Sequence, residues 1–115
     1  MPQQQAILET VVNRYRARDY EVNIRFPEFT CLCPMTGQPD FAEIVINYVP
    51  DEVIVELKSL KLYLNGFRSQ GIFHEEAVNR ILDDFVAAVK PKRVEITGTF
   101  NVRGGIYTTV RASFP

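Results

Sequence analysis

Apolar and polar side chains alternate strictly from Glu21 to Phe26, with Val22, Ile24 and Phe26 on one side and Glu21, Asn23 and Arg25 on the other. That period of two predicts a half-buried strand. A second alternating run covers about Phe41 to Val49, with Ile44, Ile46 and Tyr48 on one face, and Pro50 and Asp51 end it. Between the two runs, Cys31 to Asp40 contains Pro34, Gly37 and Pro39 and predicts a loop built of turns. Residues 54–67 mix apolar and basic positions and predict a helix from about Ser59. From Phe73 to Lys90 the period changes to that of a helix: Phe73, Ala77, Val78, Ile81, Leu82, Phe85 and Val89 fall on one face, and Pro91 stops it. Two further alternating runs follow, through Val94, Ile96, Phe100 and Val102 and then Ile106, Thr108, Val110, Ala112 and Phe114. Arg103-Gly104-Gly105 joins them in a predicted hairpin. Ahead of all this, residues 1–19 are polar and predict a short helix around Ile7, Val11 and Tyr15.

The predicted order is strand, strand, helix, helix, strand, strand. Each strand is apolar on one face only, as an α+β fold with helices over one side of a four-stranded antiparallel sheet requires. The division that follows is an N-terminal extension, 1–19, and a single domain, 20–115. Such a sheet has two open edges, so closure through a symmetric homo-oligomer is expected.

Composition narrows the function classes. The 115 residues carry 13 Lys and Arg against 14 Asp and Glu. There is no global basic field for direct nucleic-acid binding, and any anion site must be local. No apolar stretch approaches the ~20 residues that span a bilayer, and the first residues lack the pattern of a signal peptide, so a cytoplasmic protein without membrane contact is expected. The two cysteines, Cys31 and Cys33, are too close to bridge without strain and are read as free thiols.

Three stretches could carry chemistry. Cys33 precedes Asp40 in the turn-rich loop, and the turns could bring thiol and carboxylate into one pocket as nucleophile and proton donor. The alternative is that both cysteines are small buried residues and Asp40 caps a turn. Lys58 and Lys61, three residues apart on the predicted helix, could hold a phosphate-bearing cofactor together with Arg68; a solvated amphipathic face is the competing reading. The chain has no glycine-rich dinucleotide fingerprint. His74-Glu75-Glu76 opens the strongest helix, where acidic residues suit the helix dipole whatever the function. Glu75 could also accept two hydrogen bonds from a guanine-like edge, and His74 could donate to a ligand. With a single histidine in the chain, a catalytic zinc is hard to assemble, and no metal is expected.

Taken together, these stretches resemble the short, single-domain class of NADPH-dependent 7-cyano-7-deazaguanine reductases over about Glu28 to Glu76. The most specific piece is Glu56-Leu57-Lys58-Ser59-Leu60-Lys61-Leu62-Tyr63, which fits that family's signature at each position. Phe29-Thr30 ahead of Leu32-Cys33-Pro34, with Thr36-Gly37-Gln38-Pro39-Asp40-Phe41, resembles its nucleophile loop, and Phe73-His74-Glu75-Glu76 its substrate segment. The resemblance implies a tunnelling fold of ββααββ order whose subunits join their sheets into a β-barrel, and a decamer of two pentamers. It implies that Cys33 forms a thioimide with the nitrile and that Asp40 is the general acid and base. Glu75 and His74, aided by Val55, Glu56 and Leu57, would hold the deazaguanine, and Lys58, Ser59 and Lys61 would face NADPH. Cys31 is not part of that pattern. Two other readings of the residues are a tunnelling-fold enzyme acting on a pterin or GTP, and a non-catalytic purine-binding module.

Overall fold

The computed structural model describes residues 6–115. Its elements are β1 (Thr10–Val12), β2 (Val22–Leu32), β3 (Pro39–Val49), β4 (Val53–Val55), α1 (Leu57–Asn65), a short 3-10 helix (Gly66–Ser69), α2 (His74–Val89), β5 (Arg93–Arg103) and β6 (Ile106–Phe114). The four long strands form one antiparallel sheet in the order β2-β3-β5-β6. The expected ββααββ order and α+β class are therefore present. A two-stranded ribbon, β1 with β4, is added to them.

That ribbon replaces the helix expected around Ile7, Val11 and Tyr15; the first five residues of the extension lie outside the described residues. Thr10, Val11 and Val12 pair with Val55, Ile54 and Val53. Short runs of β-branched residues lose side-chain freedom in a helix and gain ladder bonds in a strand, so an available edge outweighs a weak helical period. Asn13 secures the end of β1: its backbone N–H donates to Glu52 O at 2.9 Å and its side chain donates to Asp51 O at 2.8 Å.

β2 runs further than its alternation suggests, because the register with β3 shifts between Phe26 and Phe29. A bulge on an edge strand tolerates Pro27 and turns Phe29 and Cys31 inward behind it. The loop ahead of β3 shrinks accordingly, to residues 33–38. α1 begins two residues before the expected Ser59, because the Glu56 carboxylate caps it, accepting from Lys58 N and Ser59 N at 2.7 Å each. α2 ends where Lys90 takes a left-handed conformation (φ 48°) ahead of Pro91, which cannot continue a helix.

One face of the sheet carries Ile44, Ile46, Tyr48, Val94, Ile96 and Phe100, all buried. Against it pack Val78, Ile81, Phe85 and Val89 of α2, and Leu60, Tyr63 and Leu64 of α1. α2 lies so close that a Cβ on Gly98 would sit 2.7 Å from Val78 Cγ2. The β5–β6 hairpin turns through Gly104 (φ 61°) and Gly105 (φ 83°), the two positive dihedrals of a type I′ turn. Among the described residues no helix is long and apolar enough to cross a membrane.

Candidate active site

The mouth of the sheet and the start of α2 enclose a cavity of about 410 Å³, lined among others by Cys33, Thr36, Asp40, Phe73, His74, Glu75 and Arg103. This volume falls in the range of small-molecule sites. Four separate parts of the chain meet there, the tip of the β5–β6 hairpin contributing Arg103. The 33–38 loop brings the thiol, the start of β3 brings Asp40, and the first turn of α2 brings His74 and Glu75.

The loop is tightly closed. Cys33 N–H donates to Gln38 O and Gly37 N–H donates to Cys33 O, both at 2.8 Å, and Gly37 takes the left-handed conformation (φ 73°) that the turn needs. The Thr36 side chain and the backbone of Thr36 and Met35 hold the Cys33 thiol below its ordinary pKa, against burial and the charge of Asp40. Cys31 has the opposite environment. Its side chain is wholly buried, and burial pushes its thiol up to about 12. Of the two thiols, only Cys33 is both accessible and acidified.

Asp40 is buried at the cavity wall between two partners: His74 Nε2 lies 3.1 Å from Oδ2 and an Arg103 guanidinium nitrogen 3.0 Å from Oδ1. His74 is itself fixed by stacking on Phe100, with ring centroids 3.8 Å apart and planes 6° from parallel. Arg103 also donates to Gln38 Oε1 at 2.8 Å and to the Pro39 carbonyl, tying the hairpin tip to the Cys33 loop. Glu75 stands at the N-terminus of α2, open to the cavity.

Cys33, Asp40, His74 and Glu75 thus share one site. Val55, Glu56 and Leu57 are not on it: Val55 is buried beside β1, Leu57 is exposed, and both Glu56 oxygens accept amide hydrogen bonds from α1. The cofactor candidates also lie elsewhere. Lys58 and Lys61 are exposed on α1 and Arg68 on the following 3-10 helix, positions where cations suit the phosphates of NADPH. Ser59 fits less well, because its hydroxyl accepts from Glu9 N at 2.9 Å and donates to Glu56 O at 2.7 Å.

Sequence reasoning gave no individual role to Arg103 or Thr36, and its periodicity misplaced Phe73, which the family resemblance had put in the substrate segment. Phe73 counted there as part of the apolar face of α2, but it precedes the helix and is 52% exposed at the cavity. An aromatic one residue ahead of an acidic first turn is a helix-entry position, and that signal was available. No spacing in the chain pointed to Arg103, because only the register of β5 against β3 brings the hairpin over the loop.

Comparison with known proteins agrees with this architecture. Residues 39–115 match the model of the family described as QueF-like protein. An NADPH-dependent 7-cyano-7-deazaguanine reductase of Nitrosococcus oceani is 60% identical over 107 residues, covering 93% of this chain and 83% of the relative. One of the same name from Alkalilimnicola ehrlichii is 61% identical over 105 residues, covering 91% and 81%. Among solved structures, the crystal structure of the archaeosine synthase QueF-Like in the apo form superposes with a TM-score of 0.72 at 24% identity, covering 82% of this chain and 90% of that one. The matched stretch contains Asp40, the 56–63 signature, His74, Glu75 and the whole α2–β5–β6 unit, and on that extent the chain belongs to the QueF-like family.

Proposed function

We propose that this chain reduces 7-cyano-7-deazaguanine to 7-aminomethyl-7-deazaguanine at the Cys33 cavity, through a covalent thioimide on Cys33. The NADPH-dependent reductase activity comes with the family, whose members at 60% and 61% identity carry that name. The observation that carries the residue assignment is the convergence of an acidified thiol, a buried carboxylate and the His74-Glu75 pair on one cavity.

The Cys33 thiolate adds to the electrophilic nitrile carbon, and Asp40 passes a proton to the nitrile nitrogen, so the charge leaving sulfur is neutralised where it arrives. NADPH supplies hydride, two equivalents for each nitrile converted to an amine. Between the two reductions the carbon–sulfur bond breaks, returning the thiolate to its loop and leaving an imine that the cavity must keep from water. Glu75 accepts from the adjacent N–H and amino donors of the deazaguanine edge, and His74, held by Phe100 and Asp40, lines the ring.

The reading extends to assembly. The edges β2 and β6 have no partner strand within the described chain, and joining them between copies would close the sheets into a barrel. A decamer of two pentamers would bring Val55, Glu56 and Leu57, with Lys58, Lys61 and Arg68, to the Cys33 cavity of a neighbouring copy. None of these residues lines the cavity of its own chain, which supports that arrangement.

Loss of nicotinamide absorbance on mixing protein, nitrile and NADPH tests the assignment. Cys33→Ala is expected to abolish the signal in a folded protein, and full turnover by that variant would discard Cys33 as the nucleophile.

A further inference from the structure

Where β1 meets the start of α1, a strand ladder and a helix share one carbonyl. The pairing of Thr10 with Val55 places Glu9 opposite Glu56, and Glu56 N–H donates to Glu9 O at 2.9 Å. An antiparallel pair of this kind ordinarily returns a second bond, from the other N–H to the other carbonyl. Here Glu56 O is turned into α1, where it accepts from Leu60 N–H at 3.1 Å. Glu9 N–H goes instead to the Ser59 hydroxyl at 2.9 Å, and that hydroxyl donates its own proton to Glu56 O at 2.7 Å. Ser59 is therefore a joint between ladder and helix. It is only 4% exposed, and its one proton is spent inside the chain, whereas Lys58 and Lys61 beside it are exposed. The far end of the same strap, residues 9–13, is held by Asn13, whose Oδ1 accepts from the Tyr20 hydroxyl at 2.7 Å and from Tyr15 N–H at 3.0 Å.

We propose that Ser59 is a positioning residue for the cofactor segment: it ties the 9–13 strap to the first turn of α1, and so fixes where Lys58 and Lys61 stand, without itself touching NADPH. The inference rests on the reading that this segment receives NADPH. The axis of a helix is set at its first turn. In α1 the Glu56 carboxylate holds Lys58 N–H and Ser59 N–H, while Glu56's own N–H and carbonyl are held by Glu9 and Ser59. Removing the hydroxyl takes the acceptor from Glu9 N–H and leaves the strap joined to α1 on one side only. Cations placed for phosphates lose contact when the helix that carries them shifts.

Two readouts on the full chain test it: hydrogen exchange of the peptide covering residues 6–14 without ligand, and the KM for NADPH against kcat. In Ser59→Ala, exchange of that peptide is expected to speed by about tenfold or more while peptides of α2 and β3 keep the parent rate. The KM for NADPH should rise by about threefold or more, with kcat within about twofold of the parent. Glu9→Pro removes the same hydrogen bond from the other side, since proline has no N–H, and leaves Ser59 in place. It should reproduce the rise in KM, and the double variant should rise no further than either single one, because both break one bond. A KM raised in Ser59→Ala but at the parent value in Glu9→Pro, with strap exchange unchanged, is the mark of direct cofactor contact and overturns the proposal. So does a loosened strap with KM unchanged in both variants, which would make the joint structural alone. Should Ser59→Ala not fold, Glu9→Pro carries both readouts under the same criteria. Failure of the reductase reading shows separately, as a parent protein that does not consume NADPH with the nitrile.

Discussion

At the scale of single residues, the site is a case of two chemically similar groups separated by environment. Cys31 and Cys33 are two positions apart, yet one thiol is sealed in the core with its pKa raised and the other lines the cavity with its pKa lowered. Asp40→Asn keeps the shape of the cavity and removes the transferable proton. Its kcat is expected to fall by about 10²–10⁴, with alkylation of Cys33 retained. Glu75→Ala is expected to act mainly on substrate binding, raising KM by about tenfold or more with a smaller change in kcat, as steady-state kinetics would show. A KM unchanged in that variant would place the purine edge elsewhere. That Cys33, Asp40, His74 and Glu75 line one cavity followed from sequence through the family resemblance, since the residues alone also fitted a buried thiol, a turn cap and a dipole-matched helix start. Arg103 was not legible, since its role depends on which strand lies next to which, a relation that no local pattern encodes.

At the scale of elements, α1 depends on Glu56. Its two amide bonds hold its carboxyl below the usual glutamate range, mainly through Lys58 N–H and then Ser59 N–H. A carboxylate depressed by folding contributes stability that is fully present above its unfolded value, and loses it as pH falls through the lower folded value. Glu56→Ala should therefore lower the melting temperature at neutral pH, and the gap from the parent protein should close as the pH drops below about 4.5, the ordinary glutamate value. A gap independent of pH would mean that the cap is not electrostatic. Gly98 makes a second test at this scale. A methyl group there meets Val78 at 2.7 Å, so Gly98→Ala is expected to destabilise the domain by about 1–3 kcal/mol through the displacement of α2, measurable by denaturant unfolding. The long elements were readable because period two and period 3.6 are well separated over many residues. β1 and the inner half of β2 were not, because three residues hold too little period, and because Pro27 breaks the alternation at a bulge that only the partner strand reveals.

At the scale of the whole molecule, the chain divides its candidate machinery between two places. Cys33, Asp40, His74 and Glu75, proposed as nucleophile, acid and purine-binding pair, share one cavity, while the cationic 58–68 segment lies outside it. Assembly through the β2 and β6 edges is the arrangement proposed to unite them, and it predicts that activity follows the oligomer. Light scattering across a dilution series should show reductase activity lost together with the large species, and a fully active monomer would contradict it. The most direct measurement concerns the bond on which the chemistry depends. Protein incubated with 7-cyano-7-deazaguanine in the absence of NADPH should gain the mass of one nitrile per chain, on the sulfur of Cys33, and the gain should vanish in Cys33→Ala. A parent protein that reduces the nitrile but never carries that mass on Cys33 would contradict the account.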